Sequence, residues 1–150
     1  TAMDPLHQLN QTLVQRHPNE ILRIARILIG NIYTWSQGAR ARDDHGRPVP
    51  PNHPRACCWS VLGAIAVASN PRGLVPPYFL HTLDALAYER GFLRLVLPPA
   101  NDWERYLDSK LGPAVLYESV DEMNDFCTHT HVLNLLDAAI HATEGLVWYP

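Results

Sequence analysis

The stretch Trp35-Ser36-Gln37-Gly38-Ala39-Arg40-Ala41-Arg42-Asp43 runs on into Asp44-His45-Gly46-Arg47-Pro48-Val49. Up to Asp44 it gathers one indole, one primary amide, two guanidinium groups and two carboxylates. Such a set can grip a polar ligand, or fix a loop through a bidentate arginine–carboxylate contact. It lies between two strongly apolar segments, which predicts a loop laid over a buried helix. Loops on a rigid scaffold are where function concentrates. No part of the stretch spells a catalytic or cofactor motif.

Three other constellations bear on chemistry. Cys127-Thr128-His129-Thr130-His131 follows Asp125. On an extended segment His129 and His131 point the same way, but zinc needs three or four converging ligands. His45, His53 and Asp43 would have to complete the set. A capped helix end with solvated imidazoles is the plainer expectation, so no metal and no cofactor are predicted. Ser60 could act as a nucleophile if His131 and Asp125 formed its relay. No nucleophile-elbow sequence surrounds it, and a mid-helix serine commonly bonds the carbonyl four residues back. Asn124-Asp125 reads first as a cap or turn. Paired with Arg40 or Arg42, Asp125 would instead latch the loop over the helix bearing Trp59. Trp35 and Trp59 read as core anchors before they read as ligand platforms.

The elements that must position these residues follow from periodicity and punctuation. Asp4 and Pro5 open a helix towards Arg16, and residues 1–18 form a peripheral N-terminal piece. Asn19 caps a second helix, with Ile21, Leu22, Ala25, Leu28, Ile29 and Ile32 at helical spacing and Arg23 and Arg26 on the solvated face. A long irregular loop follows, holding four of the 13 prolines (Pro48, Pro50, Pro51, Pro54). Arg55 to Ser69 is apolar almost all round and predicts a central buried helix, with Gly63 admitting a close neighbour. Pro76-Pro77 opens the next helix, with Tyr78, Leu80, Leu83, Leu86 and Ala87 available for the core. Phe92 to Leu97 reads as a short extended piece that could pair near Val115-Leu116, and Asn101 or Asp102 caps a short helix through Leu111. Ser119 and Glu122 fit a capping box. Thr128 or Thr130 caps the last helix, with Val132, Leu135, Leu136, Ala139, Ile140 and Thr143 as its buried stripe. The tail Leu146-Val147-Trp148-Tyr149 is apolar enough to dock back. These elements predict a mainly α, single-domain orthogonal helical bundle over residues 1–150.

Composition narrows the classes. At 150 residues and 47 % hydrophobic, the chain can bury one sizeable core. A net charge of −3 and the lack of a dense basic face argue against nucleic acid as a partner. The apolar runs fall short of a membrane span and no secretory signal is evident; Thr1-Ala2 before Met3 reads as an added remnant. The three cysteines cannot all pair within one chain. Cys57 and Cys58 are adjacent, and on a helix they lie on different faces and make a poor redox pair. They read as small core residues in a reducing cytoplasm.

Three segments together resemble a small family of bacterial and phage proteins known only as domain of unknown function 6197. They are Trp35 to Asp43 with Gly46-Arg47-Pro48-Val49, then Ala56-Cys57-Cys58-Trp59-Ser60-Val61-Leu62-Gly63-Ala64-Ile65, then Asn124-Asp125 with Thr130 and the helix Val132 to Ile140. The resemblance spans about Glu20 to Ala142 and implies a helical fold without an established activity. Members of that family often carry Cys where this chain has Ser60, which weakens a thiol-nucleophile reading of that position. The segment Leu74 to Leu116 looks longer than in compact members and could serve this protein's own ligand or partner.

The resulting expectation is a cytoplasmic, non-catalytic helical module that binds a small molecule or another protein. Its expected surface comprises Trp35, Gln37, Arg40, Arg42, Asp43, Trp59, Ser60, Asn124 and Asp125. One alternative is a small hydrolase or transferase using Asp125 and His131 near Ser60. The other is a helical scaffold whose apolar tail pairs subunits into a homo-oligomer.

Overall fold

A computed structural model describes residues 5–14, 16–90 and 119–148. The expected extended piece at Phe92 to Leu97, its pairing near Val115-Leu116, the short helix through Leu111 and Tyr149 lie outside the described residues. Helix α1 spans Pro5–Leu13. Leu13 and the following Val14 are buried in the core, and α1 packs on α4 (Pro77–Glu89). Helix α2 spans Pro18–Leu28. Its cap is His17, whose Nδ1 accepts the Asn19 amide at 3.1 Å, while Pro18 occupies the first turn, where no amide hydrogen is needed. Asn19, expected as the cap, instead donates to Ile140 O and Thr143 Oγ1. The face carrying Ile21, Leu22, Ala25 and Ile29 is buried; Ile32, expected on that stripe, stands 58 % exposed in a 3-10 turn over Ile32–Thr34.

The expectation of an all-helical bundle is corrected by the next segment. Strand β1 (Ala41–Asp43) pairs antiparallel with β2 (Ala56–Trp59), so the fold is mixed, with a two-stranded sheet beside the helices. The long loop is therefore partly regular: it contains β1, a turn through Gly46 at φ 75°, and an antiparallel bridge from Arg42 to Pro48. The run Arg55 to Ser69 is also not one helix. Its first part is β2, and α3 covers Val61–Ser69. The reason is Ser60. Its backbone is extended and its Oγ accepts the Gly63 amide at 3.1 Å, so it caps α3 rather than lying within it. A short apolar run such as Ala56–Trp59 is equally compatible with strand and helix by periodicity.

The core forms around α3, which is buried along most of its length and packs on α2. Gly63 is required there: a Cβ would run into the carbonyl of Arg40. Helix α5 spans Val120–Phe126, capped by Ser119 Oγ on the Glu122 amide at 3.2 Å, and α6 spans His129–Ala142, capped by Thr128. Leu135, Leu136 and Ala139 of α6 close the core against α2. Trp148 docks edge-on to Tyr78, with ring centroids 4.9 Å apart.

Candidate functional site

The structure brings the three expected segments together, and Asn124 is the point where they meet. It is 1 % exposed. Its Oδ1 accepts the Trp35 indole at 2.8 Å and the Val61 amide at 3.0 Å. Its Nδ2 donates to Ser36 O at 2.8 Å and to Asp125 Oδ1 at 3.3 Å. Both lone pairs and both hydrogens of the amide are thus used. One side chain ties the loop, the start of α3 and the α5–α6 junction.

The surrounding residues continue this pattern. Gln37 Nε2 donates to Asn124 O at 3.2 Å and Cys127 O at 3.0 Å, satisfying carbonyls that the end of α5 leaves open. Ser36, which drew no notice in the sequence, is buried; its amide donates to Trp59 O at 2.8 Å and its hydroxyl to Ala39 O at 3.0 Å. Trp59 Nε1 donates to Pro51 O at 3.0 Å. Asp43 Oδ1 accepts the amides of His45 and Arg47, each at 2.9 Å, and so shapes the turn after β1. The Arg47 amide is the main reason its carboxyl is held below the usual aspartate range; partial burial opposes the shift.

The arginine latch onto Asp125 is corrected. Asp125 Oδ1 accepts the Gly38 amide at 2.8 Å. Arg40 reaches Asp121 instead, at 2.8 Å, with both side chains over 40 % exposed. Arg42 donates to Gln37 O and Gly46 O and braces the loop internally. The physical reason is that Asp125 faces backbone at Gly38, whose φ of 79° is one that glycine adopts readily.

The histidines do not converge. His129 Nε2 lies 2.6 Å from Ile29 O, and since a carbonyl only accepts, that nitrogen carries the hydrogen and caps the end of α2. Its ring lies against Trp35, 5.2 Å between centroids. His131 is exposed and its Nδ1 meets Thr128 Oγ1 at 3.1 Å. Ser60, Asp125 and His131 make these separate bonds, and none joins them to one another among the described residues. No group of three His, Cys, Asp or Glu side chains is placed to hold a metal ion among those residues.

The matched pattern covers all three of these segments. The chain belongs to a family of unknown function (DUF6197), matched over residues 14–142. No curated protein and no solved structure matches it. The matched residues include the loop, Ser60 and Asn124, and the DUF6197 description attaches no activity to them.

A concave feature lies apart from the Asn124 junction. A cleft of about 450 Å³ opens between α2, α4 and α6. Leu22, Phe79, Leu83, Leu86 and Ala139 form its floor, and His81, Thr82 and Glu89 are the polar residues at its edge. Burial raises the pKa of Tyr78 on its wall, partly offset by a hydrogen bond with Thr82, so the phenol stays protonated at neutral pH. In the sequence Leu83 and Leu86 were legible as core positions of this helix. The opening between helices was not, because it depends on how α4 and α6 diverge. No helix among the described residues is long and apolar enough to cross a membrane.

Proposed function

We propose that this protein is a non-catalytic binding module for a small, largely apolar molecule seated in the α2–α4–α6 cleft. The observation that carries this reading is the cleft itself: its volume lies in the range of small-molecule sites, and its apolar floor is combined with a few polar groups. Trp35, Gln37, Arg40, Arg42, Asp43, Trp59, Ser60, Asn124 and Asp125 then act as the scaffold that fixes α3 and α5 beside it. Their polar groups are bonded within the protein, which supports a structural role over ligand capture. Three free cysteines suit a reducing cytoplasm. The mild negative charge favours neither nucleic acid nor an anionic membrane surface as partner.

The test is a thermal-shift series with primary alcohols from butanol to decanol. Each buried methylene contributes about 0.8 kcal/mol, or roughly fourfold in affinity, until the cleft is full. Stabilisation should climb with chain length and then level off. Ala85 is exposed on the cleft wall. Ala85→Phe should fill the space and flatten the series while leaving the unliganded melting temperature nearly unchanged. A series without chain-length dependence in the wild type would remove the cleft as a binding site.

A further inference from the structure

The adjacent cysteines of β2 are not arranged as an ordinary strand would place them. Neighbouring strand residues point to opposite faces. In this sheet Arg42 pairs with Cys58 while Asp43 pairs with Ala56, so Cys57 is an extra residue in a β-bulge. A bulge sets two residues opposite one and re-aims a side chain. The consequence is visible at Arg42 O, which lies 3.6 Å from Cys57 Sγ and 3.9 Å from Cys58 Sγ. Both thiols turn to one carbonyl, and Cys58 is near enough to act on the titration of Cys57. Cys57 is exposed and Cys58 half-buried, so solvent reaches the pair. The expectation that these thiols diverge rested on a helix that does not form.

We propose that Cys57 and Cys58 form a two-sulfur capture site for a monosubstituted trivalent arsenical. Thiolate ligands select soft centres. Ions that need three or four protein ligands are poorly served, because no third ligating side chain joins the pair among the described residues. A monosubstituted arsenic(III) oxide needs only two sulfurs. Two As–S bonds form, the As=O bond breaks, and the oxygen leaves as water with both thiol hydrogens; arsenic stays trivalent. Local desolvation, and then the neighbouring Cys58, raise the pKa of Cys57, so that thiol keeps at neutral pH the hydrogen this reaction consumes.

The test uses phenylarsine oxide on the whole chain, read by native mass spectrometry in a large excess of 2-mercaptoethanol. One adduct per chain should persist, at a mass showing loss of one water, and a dithiol such as 2,3-dimercaptopropanol should remove it. Closing the second bond within one molecule should strengthen capture by about a hundredfold or more over a single thiol. Cys57→Ser and Cys58→Ser should each lose that margin, whereas Cys127→Ser should keep it. An adduct displaced by the monothiol in the wild type would overturn the proposal without recourse to variants. Retention of the full margin in either Cys57→Ser or Cys58→Ser would overturn it as well.

Discussion

The Asn124 junction and the α4–α6 cleft sit in the same core and are built in opposite ways. At the junction nearly every polar atom has a partner within the protein, and the partners come from segments far apart in sequence: Trp35 and Asn124 are 89 residues apart, Val61 and Asn124 63. In the cleft the floor is aliphatic and aromatic, and space remains. The residues that look most chemical in the sequence are therefore spent on holding the loop, and the open space belongs to residues that look ordinary. A satisfied network rigidifies a fold and resists substitution, whereas an apolar cleft can accept a guest. The two regions should respond very differently to perturbation.

The largest effect is expected where the loop and α3 come closest. Gly63 faces the Arg40 carbonyl with no room for a Cβ. Ser60 N also donates to that carbonyl at 3.0 Å, so the backbone cannot withdraw without losing a bond. Gly63→Leu should destabilise by about 3 kcal/mol or more, and Gly63→Ala should already be costly because the obstacle is backbone. Urea midpoints measure both. A change below about 1 kcal/mol for Gly63→Leu would mean that the loop does not bear on α3 as described.

Asn124→Ala comes next. It strands a half-buried indole N–H, the Val61 amide and the Ser36 carbonyl together. With about 1–3 kcal/mol for each unsatisfied group, and some relief from water entering, a loss of about 3 kcal/mol is expected. Ala85→Phe on the cleft wall should fall within about 0.5 kcal/mol, as surface changes do. If the two variants melted alike, the contrast between a bonded junction and an open cleft would fail.

How much of this was legible in the sequence differs by residue and for physical reasons. The stripes of α2 and α6 were readable because one face of each helix is buried, and Ser119 and Thr128 announced their helices by capping chemistry. Ser60 is the same signal misread: without a change from polar to apolar at that point, a cap inside an apolar run looks like a mid-helix serine. β1 and β2 were hidden because strands of three and four residues carry too little alternation to detect. The convergence of Trp35, Gln37 and Asn124 was visible as a set of segments, but the partner of each side chain was not. Asp125 meeting Gly38 rather than an arginine depends on backbone direction, which residue types do not encode.

The turn after β1 tests the junction from its outer edge through pH. The Asp43 carboxyl is held below its ordinary range chiefly by the Arg47 amide. A folded-state value below the unfolded one adds stability above the unfolded pKa, and that stability is lost as pH falls through the folded value. The wild type should therefore lose melting temperature on acidification below about pH 4. Asp43→Asn keeps an oxygen for the His45 and Arg47 amides but cannot titrate, so its curve should be flatter over the same interval. Parallel curves for the two proteins would show that the carboxylate charge does not hold this turn.

A small effect is also expected at Arg40 and Asp121, the ion pair that replaces the anticipated latch onto Asp125. Its 2.8 Å contact is short, but both side chains are more than 40 % exposed. Water and salt screen such pairs, and holding two long side chains costs conformational entropy, so exposed pairs contribute about 1 kcal/mol or less. A double-mutant cycle with Arg40→Gln and Asp121→Asn should return a coupling in that range, shrinking further in 0.5 M salt. Arg40→Gln with Asp125→Asn should return none, because Asp125 bonds the Gly38 amide and not the guanidinium. The result sharpens the main comparison. The loop is anchored by buried backbone and amide bonds, and its charges lie outside that anchor. A coupling of several kcal/mol between Arg40 and either carboxylate would reverse this order and make the charged rim, rather than Asn124, the fastening of the loop.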